Sequence, residues 1–207
     1  MNFQSKIIVL FLAFSCSVVK AQFVKKHGQL SVKGTQLVDK NQNPIVLRGV
    51  SLGWHSMWPR FYNKKAVGWL AKDFKCNVVR AAMGIEAGAH SYMKEPEFSK
   101  DKIEAVIKGA INSDIYVIID WHSHNINLKE ATVYFDEISK KFGKYPNVIY
   151  EVFNEPDNET WSEVKAYSEA IIKVIRANDP DNIILVGSPH WDQHVHLPAA
   201  DPIKGYD

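Results

Sequence analysis

Five short apolar runs, at residues 45–50, 77–82, 115–120, 148–153 and 183–187, alternate strictly along the chain with four stretches of helical periodicity, at 64–74, 100–112, 129–142 and 162–177. Strands that are apolar on every residue, rather than on every second one, are covered on both faces. A βαβα order then requires a parallel sheet with helices packed against it. Ser99 reads as the N-cap of the second helix, with Ile103, Val106 and Ile107 on its buried face. A polar-apolar alternation over 28–39 around Gly34 predicts a small hairpin, placed as a lid on the floor of the sheet.

A parallel sheet of this kind is either open and doubly wound or closed into a barrel. No glycine-rich phosphate loop follows the first strand, and the polar clusters fall just after several different strands, where a barrel builds its active site. The fold class is therefore α/β, a (β/α)8 TIM barrel. With no internal repeat or linker, one domain is expected. A full barrel typically needs about 250 residues, so this one is expected to be truncated after about its fifth βα unit.

The first residues have another purpose. Lys6 precedes an apolar run over 7–14, then small and polar residues lead to Ala21. That pattern reads as a secretory signal peptide over 1–21, with 22–207 as the incomplete catalytic domain. The apolar run is well short of the roughly 20 residues a bilayer requires, so no membrane span is read here. Secretion, extracellular or periplasmic, follows as an expectation. Lys+Arg number 25 and Asp+Glu 23. The leader holds Lys6 and Lys20 and no acid, so the remainder is balanced and carries no basic footprint for nucleic acid. Beyond the leader Cys76 stands alone and reads as a small core residue.

The fourth strand runs into Asn154-Glu155-Pro156. A carboxylate at the end of a buried apolar strand needs a partner or a task. Glycoside hydrolysis supplies one: it needs a carboxylic acid held protonated to assist the leaving oxygen, and a second carboxylate on the opposite face of the sugar. Glu155 suits the acid, and the Asn154 amide can bond a sugar hydroxyl without adding charge. Arg80 sits in Val78-Val79-Arg80-Ala81, an alternation that points it into the mouth of the barrel.

These segments resemble the endoglucanases (cellulases) of glycoside hydrolase family 5. The resemblance is carried by Leu47-Arg48-Gly49-Val50-Ser51, Asn77-Val78-Val79-Arg80-Ala81-Ala82-Met83, Tyr116-Val117-Ile118-Ile119-Asp120-Trp121-His122, Tyr145-Pro146-Asn147-Val148-Ile149-Tyr150-Glu151 and Asn154-Glu155-Pro156, in that order. It implies a retaining endo-β-1,4-glucanase acting on cellulose or related β-glucans, without cofactor or metal, monomeric when full length. In that scheme Glu155 is the general acid/base and Asn154 bonds the sugar in the cleavage subsite. Arg80 holds the nucleophile, and His122 sits beside the sugar or buttresses the carboxylates. Trp58 and Trp191 resemble residues that stack on glucose rings, and His55 and His124 are further candidate substrate contacts. Trp69 and Trp161 fall on or near helices, where packing is expected.

The resemblance also implies a nucleophilic glutamate at the end of a seventh strand, which these residues do not reach. Two other readings compete with it. A non-catalytic glucan-binding chain would leave Glu155 and Arg80 without chemistry. A metal-dependent barrel hydrolase would use His122 and His124 with His190, His194 and His196, but leaves Asn154-Glu155-Pro156 and Arg80 unexplained.

Overall fold

The computed structural model describes residues 22–206; the leader reading, over 1–21, lies outside them. A short helix α1 (Phe23–His27) leads into an antiparallel hairpin, β1 (Ser31–Lys33) and β2 (Gln36–Val38), turned at Gly34 with φ 62°. Then β3 (Gly49–Leu52), α2 (Lys64–Asp73), β4 (Val78–Gly84), α3 (Pro96–Ser113), β5 (Tyr116–His122), α4 (Leu128–Phe142), β6 (Val148–Glu151), α5 (Trp161–Arg176) and β7 (Ile183–Leu185) follow in strict alternation, with α6 (His196–Ala200) beyond. The strands pair in parallel in chain order, β3-β4-β5-β6-β7. Among the described residues the sheet has two edges, β3 and β7.

The period of two along each strand sorts its side chains. Val79, Ala81, Met83, Val117, Ile119 and Trp121 face the helices and form the main core with Ile103, Val106, Ile107, Phe135, Val164 and Ile171, all at most 1% exposed. Helices α2 to α5 each bury one stripe; in α4 that is Ala131, Tyr134, Phe135, Ile138 and Phe142. The opposite face of the sheet begins apolar at the strand N-termini, with Val78, Tyr116 and Ile149. Val24 and Leu30 close this end, and the Tyr116 hydroxyl donates to Gly28 O at 2.7 Å. The hairpin region thus covers the floor, as its position predicted.

Of the boundaries that differ from expectation, three have clear local reasons. The first strand starts at Gly49, because residues 46–48 bond the Asn77 side chain: Oδ1 accepts from Arg48 N at 2.6 Å and Nδ2 donates to Val46 O at 3.1 Å. At Gly49 itself a Cβ would lie 1.7 Å from Val78 O, so no larger residue permits this approach of β3 to β4. Helix α3 begins at Pro96, which needs no N–H there, so Ser99 lies inside the first turn and is not its N-cap. Helix α5 is started by a capping box: Glu163 N donates to the Thr160 hydroxyl, and the Glu163 carboxylate accepts from Thr160 N. Trp161 packs as expected, whereas Trp69 does not: its ring is 53% exposed, edge-on to the equally exposed Phe74.

Candidate active site

Above the apolar floor, the same interior face turns polar at the strand C-termini. Arg80 on β4, Asp120 and His122 on β5 and Glu151 on β6 all share the parity of the floor residues Val78, Tyr116 and Ile149, so the sheet register gathers them. Arg80 is the hub. Its Nε donates to Glu151 Oε2 at 2.7 Å and its Nη2 to Glu151 Oε1 at 2.8 Å. Nη2 also reaches Asn154 Oδ1 at 2.7 Å and Asp120 Oδ2 at 2.9 Å, while Nη1 meets the Ser51 hydroxyl at 3.3 Å. Burial works against the cation, but the Glu151 and Asp120 carboxylates more than offset it and hold the guanidinium protonated.

Asp120 is wholly buried. Burial first, and then the Glu151 carboxylate, push its pKa well above the usual range, with Arg80 pulling the other way. Its Oδ2 lies 2.6 Å from His122 Nδ1, at hydrogen-bond distance. Burial, then the nearby Arg80 cation and His124, lower the His122 pKa to about 4. The ring is therefore neutral at pH 7, and where Asp120 is held as a carboxylate by Arg80 the contact favours the tautomer with its proton on Nδ1 and Nε2 as an acceptor. Sequence reasoning missed Asp120 and Glu151 as members of this cluster. The signal was present in the alternation Tyr116-x-Ile118-x-Asp120-x-His122 and Ile149-x-Glu151, apolar at one end of the face and polar at the other.

Asn154 and Glu155 follow β6 and are stitched to the end of β5. Asn154 N donates to Trp121 O at 3.2 Å, and Glu155 N points at Ser123 O at 3.5 Å. Asn154 is 3% exposed; Arg80 takes its oxygen, and its Nδ2 has no hydrogen-bond partner among the described residues. Glu155 differs from expectation in its surroundings. Its side chain is 46% exposed rather than enclosed by apolar groups, and its polar neighbour is His124, whose Nδ1 lies 3.8 Å from Oε2 and 3.2 Å from the Glu155 carbonyl oxygen. Trp54 walls this side, 4.7 Å edge-on from the His122 ring and 6.1 Å from His124.

His55 is corrected by the structure. It is 0% exposed, and both ring nitrogens are used inside the core: Nδ1 accepts from Gly84 N at 3.1 Å and Nε2 pairs with the Ser99 hydroxyl at 2.8 Å. No face of it is left for a sugar. The residue of that loop at the cleft is Trp54, one position earlier. Trp58 and Trp191, by contrast, are 48% and 46% exposed, in the loops after β3 and β7. Arg60 lies over Phe61 at 4.7 Å and 5.6 Å from the Trp58 ring. As for the histidine pair, the His122 and His124 rings stand 6.2 Å apart at 84°, and the His122 Nδ1 is taken by Asp120. Among the described residues no three His, Cys, Asp or Glu side chains converge on a metal-sized position.

Residues 38–207 match the family described as cellulase, glycosyl hydrolase family 5. "Endoglucanase Z" of Dickeya dadantii is 43% identical over 181 residues, which cover 84% of this chain and 42% of that protein. An "Endoglucanase" of Clostridium saccharobutylicum is 38% identical over 207 residues, covering 96% of this chain and 46% of that one. The chain thus spans less than half the length of these two relatives. Among solved structures, one from Cytophaga hutchinsonii superposes with a TM-score of 0.84 at 46% identity, over 87% of this chain and 60% of that one. The catalytic domain of a Thermobifida fusca endoglucanase superposes with a TM-score of 0.81 at 32% identity, over 88% of this chain and 63% of that one. That domain is also solved, as a variant, in complex with cellotetraose.

Proposed function

This chain belongs to the cellulase family, glycosyl hydrolase family 5, and on that premise we propose that it supplies the acid/base half of a secreted retaining endo-β-1,4-glucanase. The observation that carries the reading is the placement of Asn154-Glu155 over the Arg80, Asp120, His122 and Glu151 cluster, at the C-terminal mouth of a parallel sheet. Glu155 is the one carboxylate of this group that is half open to the cleft, where a glycosidic oxygen would lie; Asp120 and Glu151 are spent on Arg80.

In the proposed reaction Glu155 gives its proton to the leaving glycosidic oxygen while a second carboxylate attacks the anomeric carbon. Glu155 then takes a proton from the water that releases the sugar. The second carboxylate must stand about 5 Å from the first in a retaining enzyme, and we assign it to the protein beyond these 207 residues. The unpartnered Asn154 Nδ2 is the donor for a sugar hydroxyl, with Arg80 fixing the amide's orientation through Oδ1. The neutral His122 offers Nε2 as an acceptor on the same side. Trp58 and Trp191 act as apolar platforms for glucose rings, and His124 borders the acid. Export is assigned to residues 1–21.

The test is the full-length gene product with and without Glu155→Gln, assayed for reducing-sugar release on carboxymethyl cellulose, mixed-linkage glucan and mannan. Loss of a general acid is expected to lower kcat by about 100-fold or more. Retained activity in the variant would overturn the assignment. Binding of cello-oligosaccharides with no cleavage by the unaltered protein would favour the glucan-binding reading instead.

A further inference from the structure

Beyond β7 the chain passes through Gly187 into the turn Ser188-Pro189-His190-Trp191-Asp192. Its last three residues all lie in the left-handed region, with φ of 58°, 53° and 63°. None of them is glycine, so each is disfavoured by its own Cβ. Such a run persists where the surroundings over-determine it, and it gathers at functional sites.

The bracing is specific. Ser188 N donates to Asp192 Oδ1 at 2.7 Å, and Asp192 N donates back to Ser188 O at 3.0 Å, closing the turn on itself. Trp191 N donates to Pro156 O at 2.9 Å, tying the turn to the residue after Glu155. The His190 ring stacks on His194 at 4.8 Å. A Cβ at Gly187 would lie 2.8 Å from Asp192 Oδ1, 2.9 Å from Phe153 O and 3.0 Å from Pro156 Cδ. The Asp192 carboxylate is therefore wedged where the end of β7 meets the segment that carries Asn154 and Glu155. The Trp191 indole stays 46% exposed, so the backbone is held while the ring is left open.

We infer that Asp192 is a positioning residue for substrate: by accepting the Ser188 N–H it clamps the left-handed turn that presents the Trp191 indole as a glucan platform beside the acid/base segment. This rests on the platform reading of Trp191 given above. The physical gain is preorganisation. A tryptophan on a loose loop is ordered at the expense of binding, whereas a clamped one is ordered before the sugar arrives.

Kinetics on cello-oligosaccharides in the full-length protein, with thermal midpoints recorded for every variant, test the inference. Trp191→Ala should raise KM about tenfold, the scale of one lost stacking contact. Asp192→Ala and Asp192→Gly should each raise KM about three- to tenfold with kcat within about twofold, because they remove the acceptor and leave the chemistry in place. Asp192→Asn keeps an oxygen for Ser188 N–H and tolerates positive φ, so it should restore KM. The glycine variant separates hydrogen bonding from backbone strain, since it adopts the left-handed conformation freely. A wild-type KM for Asp192→Gly, or an Asp192→Asn variant as impaired as Asp192→Ala, would overturn the clamp. An unchanged KM for Trp191→Ala would instead mark the failure of the platform reading.

Discussion

Arg80 grips both carboxylate oxygens of Glu151 across the interior face of the sheet, at 2.7 and 2.8 Å. This is a two-point pair that fixes the guanidinium plane as well as its charge. The same plane sets where Asn154 Oδ1 and Asp120 Oδ2 are met, so the pair orients two other groups of the cluster.

Lysine cannot reproduce that fork, having a single charged nitrogen on a flexible stem. Arg80→Lys is therefore expected to lower kcat by about 100-fold or more, as misplaced catalytic groups do. It should cost about 2 kcal/mol of stability, less than the roughly 3–5 kcal/mol of a fully buried pair, because the arginine side chain is 22% exposed and lysine keeps the charge. Steady-state kinetics and denaturant midpoints on the full-length protein check both, and near-native kcat would show that the cluster does not depend on the fork.

Glu151→Gln tests the pair from the other side. The amide keeps one acceptor but leaves the Arg80 cation facing Asp120 alone, so about 1–3 kcal/mol of stability should go. Part of it should vanish in the Arg80→Lys background, where the two-point contact is already absent but the lysine cation still faces Glu151. Additive losses in that double-mutant cycle would show the two residues to be uncoupled.

His55 belongs to the core, and its variants should behave accordingly. His55→Ala removes two internal hydrogen bonds and leaves a void, a loss of about 2–4 kcal/mol. KM for cello-oligosaccharides should not change in the protein that stays folded. A raised KM with an unaltered thermal midpoint would return His55 to the substrate contacts.

The two buried histidines also set a pH window. Burial lowers the pKa of both His55 and His122 to about 4, from an ordinary 6.5. Between those values the unfolded chain binds protons that the folded protein refuses. Their stabilisation is thus complete above pH 6.5 and is lost as pH falls toward 4, by on the order of 3 kcal/mol each at most. Asp120, with its raised pKa, binds a proton in the folded protein over part of the same window and opposes this slope, so urea midpoints at closely spaced pH values should fall by less than the two histidines alone would give. His55→Gln should flatten the slope by about one proton. A slope confined to pH below 4 would assign the loss to carboxylates such as Asp39 and Glu163, whose pKa values are lowered by their hydrogen bonds to His27 and Thr160.

Much of this could be read from the residues. Continuous apolar runs alternating with helical stripes carry the parallel sheet, and the position of Asn154-Glu155 just past a strand carries the candidate acid. What stayed hidden depends on register and on single-residue direction. Asp120 and Glu151 join Arg80 because three strands align their parities, and that alignment appears only when the strands are paired. Trp54 and His55 are adjacent in a loop, and the turn of that loop, which sends the first to the cleft and the second into the core, has no periodicity to betray it. Ser99 looks like a cap because serine favours caps, but proline three residues earlier starts the helix and leaves Ser99 to hold His55.

Asn154 offers the sharpest test of the cleft. Its oxygen is engaged by Arg80, while its Nδ2 is buried with no partner among the described residues, an arrangement that wastes a donor unless a ligand completes it. Asn154→Asp is nearly the same shape and keeps an oxygen for Arg80, but it replaces the donor with a second acceptor. Losing one hydrogen bond in the transition state should lower kcat/KM by about 10- to 100-fold, with the loss in kcat if the contact strengthens as the sugar distorts. Asn154→Ala removes both functions, so it should lose more activity and also free the Arg80 Nη2 contact, which a lower denaturant midpoint would register. If the aspartate variant instead keeps full activity on cello-oligosaccharides, the amide donor has no part in catalysis, and Asn154 serves only to hold Arg80.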